Sequence, residues 1–288
     1  MHHHHDANQS SIWVVIKNQS MSMPIFDEQR AKQYAPVGKN VVITGCTKGI
    51  GRATCIEMAS LGAKVLGCAR NADELKSFED ECQSKGMDVT CVPADVATEE
   101  GRAVLLDAAA RTFGDCLHVL MHNVGTNLSR RTTLDMTDDD FTTLMDINLK
   151  SSFSLSRLFH PMLKAAGSAC ILCNSSVAGG PTAMKSGCLY GMSKAGMNHL
   201  VKNLACEWGK DGIRAVAVAP WYTATPLAQT VLKNKEYRDM VLERTPMGRI
   251  AEPEEVARVF SFLASPASSY ITGVTLAVDG GYSVMGLY

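Results

Sequence analysis

The sequence predicts an α/β fold, a doubly wound parallel sheet of about seven strands in a single domain. From residue 39 onward, runs of β-branched residues alternate with helical patterns, which favours parallel strands joined by crossover helices. A glycine-rich turn follows the first of these strands, as is typical of sheets that bind a phosphate at this point. With 288 residues and 46% hydrophobic content, the chain can bury one large core, whereas two domains would each be small.

The predicted strands and helices alternate along the chain. The strands are expected at 40–44, 64–68, 88–92, 117–122, 169–174, 214–219 and 274–278, and the helices at 50–61, 71–84, 99–113, 138–165, 189–209 and 253–264. The stretch 221–251 breaks this rhythm and contains Pro226 and Pro246. Long excursions in a compact domain are typical of lids and binding loops, so we expect 221–251 to be a substrate lid or loop.

Composition excludes several classes of protein. The formal net charge is −1, and the chain has neither a long basic run nor an apolar stretch long enough to span a membrane, so we expect no nucleic-acid or membrane partner. The ten cysteines are scattered, and Cys170 and Cys173 would point to opposite faces of one strand. We therefore expect free thiols, a cytoplasmic location and no metal site.

The first 35 residues are predicted to form an extension outside the catalytic domain, which would span 36–288. Met1 and the run His2 to His5 resemble the remnant of an affinity tag, with a metal-binding tract as the alternative. We assign this arm no part in function.

Two motifs carry the chemistry. The turn Thr44 to Gly51 reads TGCTKGIG, and its glycines allow a sharp turn, close approach of backbone N–H groups to a pyrophosphate, and tight packing of the helix on the strand. Far downstream, Tyr190 and Lys194 place a phenol and an ammonium on one face of a helix. The ammonium should favour the phenolate and lower the pKa of Tyr190. Together the motifs indicate hydride chemistry on a carbonyl or an alcohol.

These motifs, joined in order by Asn123-Val124-Gly125, Asn148, Ser175-Ser176 and Pro220, resemble the short-chain dehydrogenase/reductase family from about Pro36 onward. The segments His122 to Asn127, Cys206 to Trp208, Ala219 to Tyr222 and Val278 to Gly281 are most similar to its tropinone reductase-like branch.

The resemblance implies a Rossmann-type fold and a catalytic set. Tyr190 would be the proton donor, with Lys194 as its electrostatic partner and as a holder of the nicotinamide ribose. Ser176 would orient the substrate oxygen, with Ser175 as the less favoured choice, and Asn148 would help hold a water in the proton relay. The spacing from Ser176 to Tyr190 is one residue longer than usual in the family, and His122 stands where the family commonly has asparagine.

NADP(H) is the predicted cofactor. The end of the second strand carries Arg70 where a chain that binds NAD usually has a carboxylate, and Lys48 supplies a second cation for a 2′-phosphate. Asp73 and Glu74 are expected to lie too far into the next helix to replace the missing acid. The predicted cofactor-binding residues are Gly45, Thr47, Lys48, Gly49, Ile50, Gly51, Arg70, Asp95, Val96, Asn123, Gly125, Tyr190, Lys194, Pro220, Thr223 and Thr225. The predicted substrate-pocket residues are Val177, Cys188, Trp221 and Tyr222.

The leading hypothesis is an NADP(H)-dependent oxidoreductase that reduces a ketone to a secondary alcohol in the manner of tropinone reductases. A 3-oxoacyl-[acyl-carrier-protein] reductase is the alternative, for which Arg130-Arg131 would be the docking patch. A non-catalytic nucleotide-sensing scaffold is the distant alternative, and it would require loss of Tyr190 or Lys194.

Assembly into a homodimer or homotetramer is also predicted. The helix at 189–209 has apolar residues beyond what one sheet face needs, namely Met192, Met197, Leu200, Leu204 and Trp208. The family resemblance implies pairing of this helix and of the one before it across a two-fold axis, with a second contact through Val274 to Tyr288.

Overall fold

The computed structural model describes residues 27–128 and 132–287. The strands in these residues are β1 (Asn40–Thr44), β2 (Lys64–Ala69), β3 (Val89–Pro93), β4 (Val119–His122), β5 (Ala169–Asn174), β6 (Ile213–Pro220) and β7 (Thr275–Val278). They form one sheet in the order β3-β2-β1-β4-β5-β6-β7, and every neighbouring pair is parallel. The predicted fold class is therefore confirmed. The N-terminal arm before residue 27 and the pair Arg130-Arg131 lie outside the described residues.

Helices connect the strands and cover both faces of the sheet. They are α1 (Glu28–Lys32), α2 (Gly49–Ser60), α3 (Ala72–Ser84), α4 (Glu99–Phe113), α5 (Asp138–Met145), α6 (Ser151–Ala165), α7 (Cys188–Trp208), α8 (Pro226–Leu232), α9 (Lys235–Glu243) and α10 (Pro253–Ala264). Polar side chains determine where several helices begin, since Asn71 and Thr98 accept hydrogen bonds from backbone N–H groups in the first turns of α3 and α4. No helix among the described residues is long and apolar enough to cross a membrane.

The sheet separates two apolar layers. One is formed with α4, α6 and α7 and includes Leu105, Phe159 and Cys173. The other is formed with α2, α3 and α10 and includes Phe260 and Cys170. Cys170 and Cys173 thus lie on opposite faces of β5, as predicted, and all ten cysteines are free thiols.

Two regions differ from their predicted form. The predicted helix 138–165 is interrupted at Asp146–Lys150 by one π-helical turn, which contains Asn148. The stretch 221–251, for which no helix was predicted, contains α8 and α9, and its role as a substrate lid or loop stays a prediction. The other predicted elements agree with the structure to within about two residues, which is the usual uncertainty of element ends.

Helix α7 exposes much less apolar surface than predicted. Met197 and Leu204 are buried in the core, and Leu200 and Trp208 pack against it, so that Met192 is the exposed member of the set at 49%. Exposed apolar side chains lie elsewhere instead. They include Phe141, Phe153 and Leu158 on α5 and α6, and Val274 and Leu276 at β7.

Candidate active site

A cavity of about 940 Å³ opens at the carboxyl ends of the strands, where β1 and β4 meet and the strand order reverses. In doubly wound sheets this crevice is the usual ligand site. The structure brings most of the predicted residues to its wall, namely Gly45, Thr47, Lys48, Gly49, Ile50, Arg70, Asp95, Val96, Asn123, Gly125, Ser176, Tyr190, Lys194, Pro220, Trp221, Tyr222, Thr223 and Thr225. Its volume lies within the range of sites that enclose a small organic ligand.

The glycine turn has the geometry of a phosphate cradle. Gly45 and Gly49 have φ of +71° and +54°, a left-handed backbone that favours glycine. Gly51 lies beneath the wall, and a Cβ there would collide with Gly45 O and Asn123 Nδ2. Since α2 begins at Gly49, its free backbone N–H groups lie beside the cavity and can bind an anion.

The cavity wall beyond this turn holds an acid as well as the two expected cations. Lys48 Nζ lies 2.7 Å from Glu74 Oε1, and Thr47 Oγ1 donates to Glu74 Oε2 at 3.3 Å. The hydrogen bond from Lys48 holds the pKa of Glu74 below its usual value. The expectation that Glu74 lies too far into α3 was therefore wrong. The helix begins at Ala72, next to the glycine turn, so its first turn reaches the cavity.

Two asparagines brace the floor between β1, β4 and β5. Asn123 Nδ2 donates to Thr44 O and Gly45 O, both at 3.0 Å, and Asn174 Nδ2 donates to Asn123 Oδ1 at 2.8 Å. Asn174 O accepts from Lys194 Nζ at 2.7 Å. Sequence reasoning missed Asn174, which joins the glycine turn to Lys194.

Tyr190 and Lys194 lie on α7 and line the cavity. Lys194 is buried, which lowers its pKa to about 8, and its Nζ is 5.6 Å from the centre of the Tyr190 ring. Burial also raises the pKa of Tyr190, although a hydrogen bond with Ser176 acts in the opposite direction. In the protein chain itself the pKa of Tyr190 is therefore raised and not lowered, because desolvation of the phenolate is the largest effect. The phenol stays protonated at neutral pH.

The two serines after β5 face different neighbours. Ser176 begins a short 3₁₀ turn, and its hydroxyl accepts from Ala178 N at 3.1 Å while interacting with the Tyr190 phenol strongly enough to favour a lower phenol pKa. Ser175 Oγ instead donates to Asn198 Oδ1 at 2.6 Å. Both serines line the cavity, but the hydroxyl proton of Ser175 is used by Asn198.

Asn148 lies behind the cavity wall and is fully buried. Its Nδ2 donates to Thr126 O at 2.9 Å and to Ser193 Oγ at 3.1 Å, and its Oδ1 accepts from Thr126 N at 2.8 Å. Because both amide protons are used, the side chain braces the segment after β4 against α7. The absence of a side chain at Gly125 leaves room for Lys194, because a Cβ there would lie 3.3 Å from Lys194 Nζ.

Aromatic residues form another part of the cavity wall. Trp221 stacks on Tyr282, with ring centres 3.7 Å apart and planes at 10°, and its Nε1 donates to Thr245 Oγ1 at 2.9 Å. The Tyr222 and Tyr237 hydroxyls are 2.7 Å apart, which ties this wall to α9. Thr225 caps α8, as its Oγ1 accepts from Ala228 N at 3.3 Å.

Two predicted pocket residues are not on the cavity wall that the described residues form. Val177 is buried in the turn after Ser176, and Cys188 Sγ lies 3.6 Å from Met136 Sδ. The wall is completed by residues that sequence reasoning missed, including Leu128, Met184, Ser186, Leu227 and Val231. Ser186 Oγ is buried with no hydrogen-bond partner among the described residues.

His122, at the end of β4, points away from the site. Its Nε2 is 2.9 Å from Ser156 Oγ, and Ser156 donates its one hydroxyl proton to Ser152 O at 2.8 Å. The hydroxyl oxygen must therefore accept from His122, which fixes the proton of the neutral imidazole on Nε2. Complete burial lowers the pKa of His122 to about 3.

This geometry agrees with comparisons to known proteins. A family model of short-chain dehydrogenases, described as enoyl-(acyl carrier protein) reductase, matches residues 45–283. A tropinone reductase homolog from Arabidopsis thaliana is 44% identical over 255 residues, which are 88% of this chain and 96% of that protein. The chain belongs to the short-chain dehydrogenase/reductase family. Within the family it belongs to the tropinone reductase-like branch, and it is an oxidoreductase that acts on CH–OH and C=O groups.

Solved structures of short-chain dehydrogenase/reductases superpose closely on this member. A gluconate 5-dehydrogenase from Burkholderia cenocepacia in complex with NADP and tartrate has a TM-score of 0.84 at 26% identity, covering 89% of this chain and 100% of its own. A 7α-hydroxysteroid dehydrogenase complexed with NADH and 7-oxo glycochenodeoxycholic acid has a TM-score of 0.82 at 31% identity, covering 87% and 96%.

Proposed function

We propose that this protein is an NADP(H)-dependent reductase that converts a ketone to a secondary alcohol. The observation that carries the proposal is that Tyr190 and Ser176 line the same cavity wall together with buried Lys194, whose Nζ is 5.6 Å from the centre of the Tyr190 ring. When bound, the nicotinamide cofactor supplies the hydride for the carbonyl carbon. The protein must then hold the carbonyl oxygen and give it a proton.

Tyr190 is the proposed proton donor. The raised pKa keeps its phenol protonated at neutral pH, so a proton is available at the hydroxyl that faces the cavity. Ser176 donates a hydrogen bond to the same substrate oxygen and holds it near the phenol. As charge builds on the Tyr190 oxygen, the Lys194 ammonium, whose Nζ is 5.6 Å from the centre of the phenol ring, stabilises that charge. Asn148 keeps the segment around Thr126 and the helix of Lys194 in register.

The residues present fit a dinucleotide phosphate. The glycine turn, the start of α2 and the Asn123 brace form the pyrophosphate cradle, in which a Cβ on Gly51 would collide with its neighbours. Arg70 is exposed at the end of β2 and makes no ion pair or hydrogen bond with the described residues, so its guanidinium is available to a 2′-phosphate. Asp95 and Val96 would meet the adenine edge, and Pro220, Thr223 and Thr225 would surround the nicotinamide. The NADP that the related gluconate 5-dehydrogenase binds supports this choice.

The proposed substrate is a ketone with an apolar body. Trp221 and Tyr222 line the cavity together with aliphatic and thioether side chains, which suits a ring or hydrocarbon skeleton. Similarity to tropinone reductase homologs supports a cyclic ketone.

A panel of cyclic amino-ketones, neutral cyclic ketones and 3-oxoacyl thioesters, assayed by NADPH consumption, identifies the substrate class. Faster turnover of the thioesters would favour an acyl-carrier-protein reductase instead, and no turnover of any substrate would favour a nucleotide-sensing scaffold.

Tyr190→Phe tests the role of the phenol. The variant should lose more than about 99% of kcat, because the missing proton is needed in the transition state, while its dissociation constant for NADPH stays near the wild-type value. Ser176→Ala should lose about a hundredfold in kcat/KM, whereas the matched control Ser175→Ala should retain most of it, since Ser175 is bonded to Asn198. If Tyr190→Phe kept more than about a tenth of kcat on its best substrate, Tyr190 would not be the acid.

A further inference from the structure

The end of the cavity that is proposed to hold the adenosine ribose contains a carboxylate that a pure phosphate site would not need. Glu74 faces the same space as Lys48 and Arg70, and its side chain is 37% exposed. A dianionic 2′-phosphate bound by these two cations would lie close to Glu74 and be repelled by it. A bare ribose, in contrast, presents hydroxyl groups, and a carboxylate is a strong acceptor for them.

The contacts of Glu74 leave room for such a hydroxyl. Oε1 accepts from Lys48 and Oε2 accepts from Thr47, and each carboxylate oxygen has two lone pairs. Lys48 also balances the charge of Glu74, so the pair presents little net charge to a neutral ribose. When a 2′-phosphate enters, the flexible Lys48 side chain, which is 61% exposed, can turn from Glu74 to the phosphate and join Arg70.

We propose that Glu74 is a specificity-determining residue that allows this protein to use NAD(H) as well as NADP(H). The proposal rests on the proposed function, in which Arg70 and Lys48 hold the 2′-phosphate. Glu74 accepts a hydrogen bond from the adenosine ribose hydroxyls of NAD(H), replacing the carboxylate that is missing at the end of β2. The same group weakens NADP(H) binding, so Glu74 brings the affinities for the two cofactors closer together.

Stabilisation of α3 alone does not explain why Glu74 contacts the glycine turn. An acid in the first turn of α3 stabilises the helix through its dipole, but Asp73 supplies that effect as well. Asp73 is exposed, does not line the cavity and makes no hydrogen bond or ion pair with the described residues. Glu74, in contrast, is joined to two residues of the glycine turn across a sequence separation of 26 and 27 residues. Asp73 is therefore a matched control for Glu74.

The test is a fluorescence titration of the full-length protein with NADPH and with NADH. Wild-type protein should bind both. Glu74→Gln should bind NADH about tenfold more weakly, because a neutral amide is a poorer acceptor, and NADPH several-fold more tightly, because the repulsion is gone. Asp73→Asn should change neither affinity. Urea unfolding of each variant, monitored by circular dichroism, verifies that both remain folded.

Three results would overturn the inference: wild-type protein that binds NADPH but not NADH, a Glu74→Gln protein with an unchanged ratio of the two affinities, or an equal change in Asp73→Asn. Arg70→Ser separates this inference from the proposed function. If Arg70→Ser leaves NADPH affinity unchanged, the phosphate site is misassigned, whereas the response of NADH binding to Glu74→Gln still reports on the ribose contact.

Discussion

His122 should make this protein sensitive to acid, and His122→Asn should remove that sensitivity. The imidazole is buried at the end of β4, where it is neutral and donates from Nε2 to Ser156. Burial lowers its pKa to about 3 in the folded chain, whereas an exposed histidine of the unfolded chain titrates near the usual value of about 6.5. Between these two values the unfolded chain binds a proton that the folded chain does not.

The sign and size of the effect follow from linkage. Because the folded pKa is depressed, the contribution of His122 to stability is complete above about pH 6.5 and is lost as the pH falls toward 3. At about pH 5 the unfolded histidine is almost fully protonated, which costs the folded state about 2 kcal/mol relative to about pH 8. Such a loss is a substantial fraction of the stability of a typical domain.

Urea unfolding at fixed protein concentration, followed by circular dichroism at several values between about pH 8 and pH 5, measures this loss. Asparagine keeps a donor for Ser156 and does not titrate, so His122→Asn should lose about 2 kcal/mol less than wild type over this range. His199→Asn, which removes an exposed histidine, is the control and should follow wild type. If wild type and His122→Asn lost the same free energy of unfolding on acidification, the neutral buried imidazole would be refuted.

Three further predictions concern the cofactor site and assembly. Gly51→Ala should abolish NADPH binding and lower the free energy of unfolding by about 2 kcal/mol, because the new Cβ would collide with Gly45 O. A variant that binds NADPH with wild-type affinity in a fluorescence titration would contradict this. Arg70→Asp combined with Lys48→Ser should reverse the preference for NADPH over NADH in kcat/KM, and an unchanged preference would locate the phosphate elsewhere. Sedimentation at micromolar concentration should give a dimer or a tetramer with two-fold axes, since apolar side chains of α5, α6 and β7 are exposed, and an active monomer would overturn this expectation.

The sheet and most helices could be predicted from the sequence because their signals are local. Alternating strand and helix patterns and well-placed capping residues fix each element within a few residues of its position. The π-helical turn around Asn148 could not be predicted in this way. Asn148 in this turn is bonded to Thr126 and Ser193, which are remote in sequence and meet it when the fold is complete.

The parts of the candidate site that lie in a sequence motif could be predicted. The parts that depend on burial and on contacts between remote segments could be predicted less well. Tyr190 and Lys194 are recognisable by spacing, but the direction of the Tyr190 pKa depends on burial, which the sequence does not report. The contact of Glu74 with the glycine turn was not predicted, because its position was counted along α3 and not measured to the neighbouring strand β1. The turns after β1 and β2 are neighbours, since these strands pair in register from Asn40 with Lys64 onward.

The stacking of Tyr282 on Trp221 connects a residue that follows β7 to the cavity wall, which Trp221 lines. The two aromatic residues are far apart in sequence, and neither belongs to the glycine turn or to the Tyr190 helix. Substitution of Tyr282 should therefore change how Trp221 is held, and with it the shape of this wall, while the glycine turn and the Tyr190 helix keep their positions. Ligand preference in such a scaffold can thus vary through a residue that does not itself line the cavity.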